Sequence, residues 1–155
     1  MSFGCEMEAK YLWARVDATT DNPISRHRVF LADDHEEMLR TAALILAKEF
    51  HVVGMAADAH SVLRLVPALL PDVLVMDICM PMMNGIEAAL RLKSFGCQMK
   101  LVFLTVTPDI DFLEAAMETG AVGYVLKPYL CTELIPAIWM VLGGKRFISS
   151  CMHRQ

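Results

Sequence analysis

VLVMDICMPMMNG, residues 73–85, opens with four apolar residues, ends that run on a carboxylate at Asp77, and then breaks into a loop carrying Pro81 and Gly85. The apolar run is too short for a helix and lacks the polar–apolar alternation of a strand with one wet face. A short continuous run of this kind suits a strand buried on both sides. Four comparable runs flank it, at 29–32, 52–56, 101–104 and 122–126. Segments with helical spacing separate them, over about 35–49, 59–70, 84–95, 109–119 and 131–143. Strict strand–helix alternation predicts an α/β fold: a doubly wound parallel sheet of five strands with five helices.

The helices carry their own signals. Met38, Ala42, Ile45, Leu46 and Glu49 follow the three-to-four spacing of one face. In the fourth helix, Asp109 or Asp111 caps the start, Phe112, Ala115, Ala116 and Met117 point inward, and Gly120 stops the chain. Pro136 is expected in the first turn of the last helix, with Thr132 near its cap, where a missing N–H is tolerated. Pro67 falls inside the second helical segment and predicts a kink or an early stop.

A chain of 155 residues is sized for one domain. Its hydrophobic fraction is 55%, and its mean hydropathy is +0.43. No apolar run approaches the roughly 18–20 residues of a membrane span. The first 25 residues mix acids and bases without an apolar core, so they do not read as a secretory signal, and a cytoplasmic location is the expectation. A net charge of −4, with no basic cluster longer than Lys145-Arg146, argues against direct binding of nucleic acid. Cys5, Cys79, Cys97, Cys131 and Cys151 are scattered and odd in number, which predicts free thiols. The twelve methionines lie mostly within apolar runs and are expected to fill the core. Residues 1–27 read as an extension in which 6–16 forms either a short docked helix or an unstructured lead, and 149–155 read as a tail.

Ligands of open parallel sheets bind beyond the carboxyl ends of the strands. Polar residues concentrate there: Asp33 and Asp34 after the first strand, Asp77 after the third, Thr105 at the fourth and Lys127 at the fifth. With strand order 2-1-3-4-5 all five share one crevice. Clustered carboxylates repel one another unless a cation sits among them, and Mg²⁺ matches hard oxygen ligands. An aspartate beside Mg²⁺ and opposite a lysine is suited to attack on a phosphoryl group. One such residue alone would be a cap or a solvated charge; the joint placement is what carries the signal.

Over residues 27–148 the chain resembles the CheY-like, flavodoxin-fold receiver superfamily, and its end is similar to receivers of NarL/FixJ-type regulators. The matching text is VFLADDH, VLVMDICMPMMNG, LVFLTV, GAVGYVLKP and LIPAIWMVLGGKRFIS. The resemblance implies a two-component response regulator receiver, bounded at 28–148, with Asp77 as phosphoacceptor. It implies Mg²⁺ held by Asp34, Asp77 and the Cys79 carbonyl, with Asp33 helping through water. Lys127 and Thr105 would meet the phosphoryl oxygens, and Tyr124 would be the aromatic switch that turns inward as Thr105 moves. It also implies a sensor histidine kinase as donor, autodephosphorylation as the only turnover, and a cis bond before Pro128.

His35 is read as structural at the start of the first helix, because imidazole suits Mg²⁺ poorly. Val106, where the family often carries a small residue, would narrow the site or obstruct Tyr124. The chain has no DNA-reading element, so the expected output is a contact through the fourth helix, fifth strand and fifth helix, with a protein partner, a second copy or a further domain. Two other readings stay open: a receiver-fold scaffold that ignores phosphate, and a Mg²⁺-dependent phosphohydrolase with an aspartyl-phosphate intermediate. The second lacks an evident general acid and a substrate-enclosing cap.

Overall fold

The computed structural model describes residues 26–154; Cys5, Gln155 and the predicted 6–16 segment lie outside the described residues. The elements are β1 (Arg28–Ala32), α1 (Glu36–Leu46), β2 (His51–Ala56), α2 (Ala59–Leu69), β3 (Val73–Met76), α3 (Gly85–Ser94), β4 (Lys100–Thr105), α4 (Ile110–Glu118), β5 (Gly123–Leu126), α5 (Leu130–Leu142) and β6 (Phe147–Ile148). The strands form one sheet in the order β2-β1-β3-β4-β5-β6, and every neighbouring pair is parallel.

The sheet divides the core in two, which is why its strands read as unbroken apolar runs. Phe30, Leu74, Met76, Phe103 and Tyr124 pack with α2, α3 and α4. Their neighbours Val29, Val73, Val75, Val102 and Val125 pack on the other face with α1 and α5. Alternate side chains of each strand point to opposite faces, so neither face of β3 is left to water.

The expected five-stranded sheet is present with a sixth strand added. Residues 147 and 148 pair with Gly123 and Tyr124. Beyond them the expected tail folds back as a short 3-10 segment, Ser150–Arg154, with Ser149 and Met152 buried. A two-residue strand has no periodicity of its own, so the sequence carries little sign of it.

Four local expectations are corrected. The second helix continues two residues past Pro67; a proline in the final turn removes only one ladder bond, and the stop comes from Leu70 in the left-handed region, φ 50°. Pro136 sits beyond the first turn of α5, because the helix starts at Leu130. It is exposed together with Thr132, where water can satisfy the carbonyl that loses its partner. Phe112 is 39% exposed, and Leu113 turns inward in its place beside Ala116, which is buried as expected. No peptide bond among the described residues is cis. Pro128 instead takes the opening of a 3-10 turn, Lys127–Tyr129, which leads directly into α5.

Candidate functional site

Backbone hydrogen bonds bring the two buried carboxylates side by side. β1 ends at Ala32, whose carbonyl accepts from the Asp77 N–H at 2.8 Å, while the Asp33 N–H donates to Ala56 O at 3.1 Å. Both aspartates therefore stand at the carboxyl edge of neighbouring strands. Asp33 is 2% and Asp77 3% exposed. Lys127 reaches between them from the end of β5, placing Nζ 2.7 Å from Asp33 Oδ2 and 3.0 Å from Asp77 Oδ2. It donates a hydrogen bond to Asp77, and the Cys79 N–H donates to the other Asp77 oxygen at 3.1 Å.

Asp34 lies at the mouth. It lines a cleft with Leu39, Arg40, Met55 and Ala57. His35 is the N-cap residue of α1, and its Nδ1 lies 3.2 Å from Asp33 and 3.1 Å from Asp34. One ligand atom from each of Asp33, Asp34, His35 and Asp77 falls within 4.8 Å of the others. Asp33 Oδ2, although beside the ammonium, is buried without an aligned hydrogen-bond donor. A buried carboxylate oxygen in that condition is costly, and a hard divalent cation would relieve it.

The electrostatics follow from burial against pairing. Burial pushes the Asp77 carboxyl up from its ordinary value, the Lys127 hydrogen bond opposes this, and the Asp33 charge adds to the rise. Burial alone would lower the Lys127 ammonium, but its pairing with Asp33 and Asp77 outweighs that and holds it above its ordinary value. The lysine is therefore charged at neutral pH, and Asp77 is a desolvated carboxyl group beside a fixed cation.

Thr105 closes β4 fully buried, in register with Leu126, and its hydroxyl accepts from the Thr107 N–H at 3.3 Å. Tyr124 is also fully buried, and its hydroxyl donates to Thr107 O at 2.8 Å. The structure thus holds this ring in the inward position, with its hydroxyl bonded to the main chain at Thr107. Val106 is 64% exposed, and the ring is seated despite it.

Gly85 is needed for a close approach and not for an unusual backbone geometry. Its φ is not positive, but a Cβ there would lie 2.2 Å from the Asp77 carbonyl oxygen. Its N–H donates to Ile78 O at 2.7 Å, so the start of α3 is pressed against the loop that carries Asp77. In this loop the left-handed backbone is at Met82, φ 69°, which is 94% exposed. The four described cysteines are free.

Sequence reasoning missed a polar cluster joining β5, α5 and the C-terminal segment. Ser149 Oγ accepts from the Leu126 N–H at 2.9 Å and donates to Glu133 Oε2. These residues are distant in sequence and belong to no recognisable spacing. The one available signal was the apolar pair Phe147-Ile148 after the last helix.

A family model described as the response regulator receiver domain matches residues 29–138. The transcriptional regulatory protein YvfU of Bacillus subtilis, itself uncharacterised, is 35% identical over 124 residues, which cover 79% of this chain and 62% of that protein. The response regulator GacA of Pseudomonas aeruginosa is 34% identical over 130 residues, 83% of this chain and 61% of that protein. The chain thus spans about three fifths of the length of these curated relatives. Among solved structures, a LuxR-family two-component response regulator from Aurantimonas sp. SI85-9A1 superposes with a TM-score of 0.80 at 32% identity, covering 84% of this chain and 94% of that one.

Proposed function

Because the chain belongs to the response regulator receiver family, we propose that Asp77 accepts a phosphoryl group and that the resulting acyl phosphate switches an output surface. The observation that carries this reading is the buried Asp77 carboxylate, 3.0 Å from the Lys127 ammonium with Asp33 alongside. A carboxylate oxygen of Asp77 attacks phosphorus. The new P–O bond forms as the bond from phosphorus to the donor breaks, and the electron pair leaves with the donor, either the imidazole of a histidine kinase or the acetate of acetyl phosphate. Lys127, already bonded to Asp77, stays beside the phosphoryl oxygens and offsets their charge. The Thr105 hydroxyl donates to one of them and gives up its contact with the Thr107 N–H.

The acidic cluster fits Mg²⁺. Three carboxylates against one ammonium leave a negative excess, and Asp33 Oδ2 has the ammonium beside it but no aligned hydrogen bond. Asp33, Asp34, Asp77 and the Cys79 carbonyl would hold the ion. When bound, it neutralises charge on the transferred group. His35 remains structural at the N-cap position of α1 in this reading, because imidazole is the poorer ligand for this metal.

The proposed donor is a sensor histidine kinase, and turnover is limited to loss of the phosphoryl group to water. Output passes through the face of α4, β5 and α5 to a partner protein, a second copy or a further domain. No described helix is long and apolar enough to cross a membrane. Incubation with acetyl phosphate and Mg²⁺, followed by intact mass, tests the reading: one phosphoryl group is gained, and none by Asp77→Asn. Gain by the substituted protein would move the site elsewhere.

A further inference from the structure

Lys127 is held by its side chain between two carboxylates, but its backbone sits at the junction of β5 with the 3-10 turn that leads into α5. That junction lies on the outer edge of the central five strands, where an uncovered backbone would be free to move. The C-terminal segment closes it. Ser149 is fully buried; its N–H donates to Tyr124 O at 2.8 Å, and its hydroxyl accepts from the Leu126 N–H at 2.9 Å. The same hydroxyl donates to Glu133 Oε2. Glu133 Oε1 in turn accepts from Ser150 N at 3.2 Å and Ser150 Oγ at 2.9 Å. Glu133 stands in the first turn of α5, so the bonds form a closed ring: Leu126, Ser149, Glu133, and back along the chain to Lys127.

We infer that Ser149 and Glu133 are positioning residues for Lys127, clamping the end of β5 so that the ammonium stays within reach of Asp77. The inference rests on the phosphoacceptor reading above. Neither residue touches the reacting atoms; they act through the Leu126 backbone on one flank of Lys127 and the start of α5 on the other. The lysine side chain is only 6% exposed, so it has little room to compensate for a shifted backbone by changing rotamer. Removing the Ser149 hydroxyl leaves the Leu126 donor and the Glu133 carboxylate without their shared partner, and the junction relaxes to find others.

The full chain tests this with acetyl phosphate and Mg²⁺ as probes, at a temperature where each variant is folded by circular dichroism. Ser149→Ala and Glu133→Ala slow phosphoryl uptake roughly ten- to hundred-fold, the scale expected of an ångström-size misplacement. Glu133→Gln, which keeps an acceptor oxygen, restores the rate. Mg²⁺ affinity, followed by amide shifts of Asp34 and Cys79, stays as in the unsubstituted protein, because its carboxylate ligands come from the ends of β1 and β3. A second readout needs no phosphoryl transfer: the Lys127 ammonium ¹⁵N signal, slowed in exchange by two carboxylates, is lost in both alanine variants and kept in Glu133→Gln.

Unchanged uptake in a folded Ser149→Ala protein would overturn the clamp, and so would Mg²⁺ affinity falling in step with the rate. If Ser149→Ala does not fold, equal rates for Glu133→Ala and Glu133→Gln overturn it. If the unsubstituted protein takes up no phosphoryl group, the phosphoacceptor reading fails, and the ammonium signal still decides the clamp.

Discussion

Gly85→Ala is the substitution whose consequence can be worked most directly from the coordinates. The added Cβ would lie 2.2 Å from the Asp77 carbonyl oxygen and 3.1 Å from Asp77 C and Ile78 Cα. All three are backbone atoms, so no side chain can swing aside. Carbon and oxygen pack comfortably only beyond about 3 Å, and relief requires the start of α3 and the Asp77 loop to part by about 1 Å. The Gly85 N–H to Ile78 O bond, now 2.7 Å, is lengthened by the same movement. Overpacking of this kind costs about 1–3 kcal/mol, which corresponds to a fall in Tm of roughly 3–10 °C for a chain of this size. The loop that moves carries the nucleophile, so phosphoryl uptake falls by a larger factor than stability alone explains, on the order of a hundredfold. Thermal unfolding and a timed acetyl phosphate reaction measure the two effects separately. An alanine protein with the Tm and rate of the glycine form would refute the close approach on which this reasoning depends.

Three further outcomes follow from other parts of the molecule. Burial first, and then the negative charges of Asp109 and Cys79, push the Tyr124 phenol up to about 12. Its contribution to stability is complete below the unfolded value of ~10 and is lost as pH rises from there toward the folded value, a loss of about 3 kcal/mol. Denaturation of the native protein and of Tyr124→Phe should therefore converge between those two pH values, and parallel curves would contradict it. Leu70 is an exposed, left-handed helix cap, φ 50°. Leu70→Gly should raise stability by about 0.5–1 kcal/mol in urea, with phosphoryl uptake unchanged because the cap is remote from Asp77. Mg²⁺ at ten times its Kd should stabilise the protein by about 1.4 kcal/mol, reversibly on chelation, and Asp34→Asn should blunt that response; an unresponsive Tm would argue against the acidic cluster as a metal site.

The central sheet was legible because burial on two faces leaves a mark in the sequence. VLVM and LVFL have no polar residue to spare, and the carboxylates and lysine that follow such runs fall at one edge once the strands are parallel. The burial of Asp33, Asp77, Thr105 and Lys127 at that edge is therefore foreseeable from strand ends alone. Details set by single contacts were not. Phe112 and Leu113 are equally apolar, and only the docking angle of α4 decides which is covered. Pro128 is compatible with either peptide isomer; the choice depends on the turn that follows. The role of Gly85 depends on how closely α3 approaches Asp77, a distance no spacing rule encodes. The pairing of Ser149 with Leu126 and Glu133 needs a two-residue strand to return along β5. None of those residues announces the others.

Phosphoryl transfer to Asp77 is tested most directly by locating the acyl phosphate. After reaction with acetyl phosphate and Mg²⁺, borohydride reduces an aspartyl phosphate to the corresponding alcohol, leaving a stable mass mark that peptide mapping can place. The mark is expected at Asp77 alone, dependent on Mg²⁺ and strongly diminished in Lys127→Met. A mark on Asp33 or Asp34, or undiminished labelling without the lysine, would contradict it.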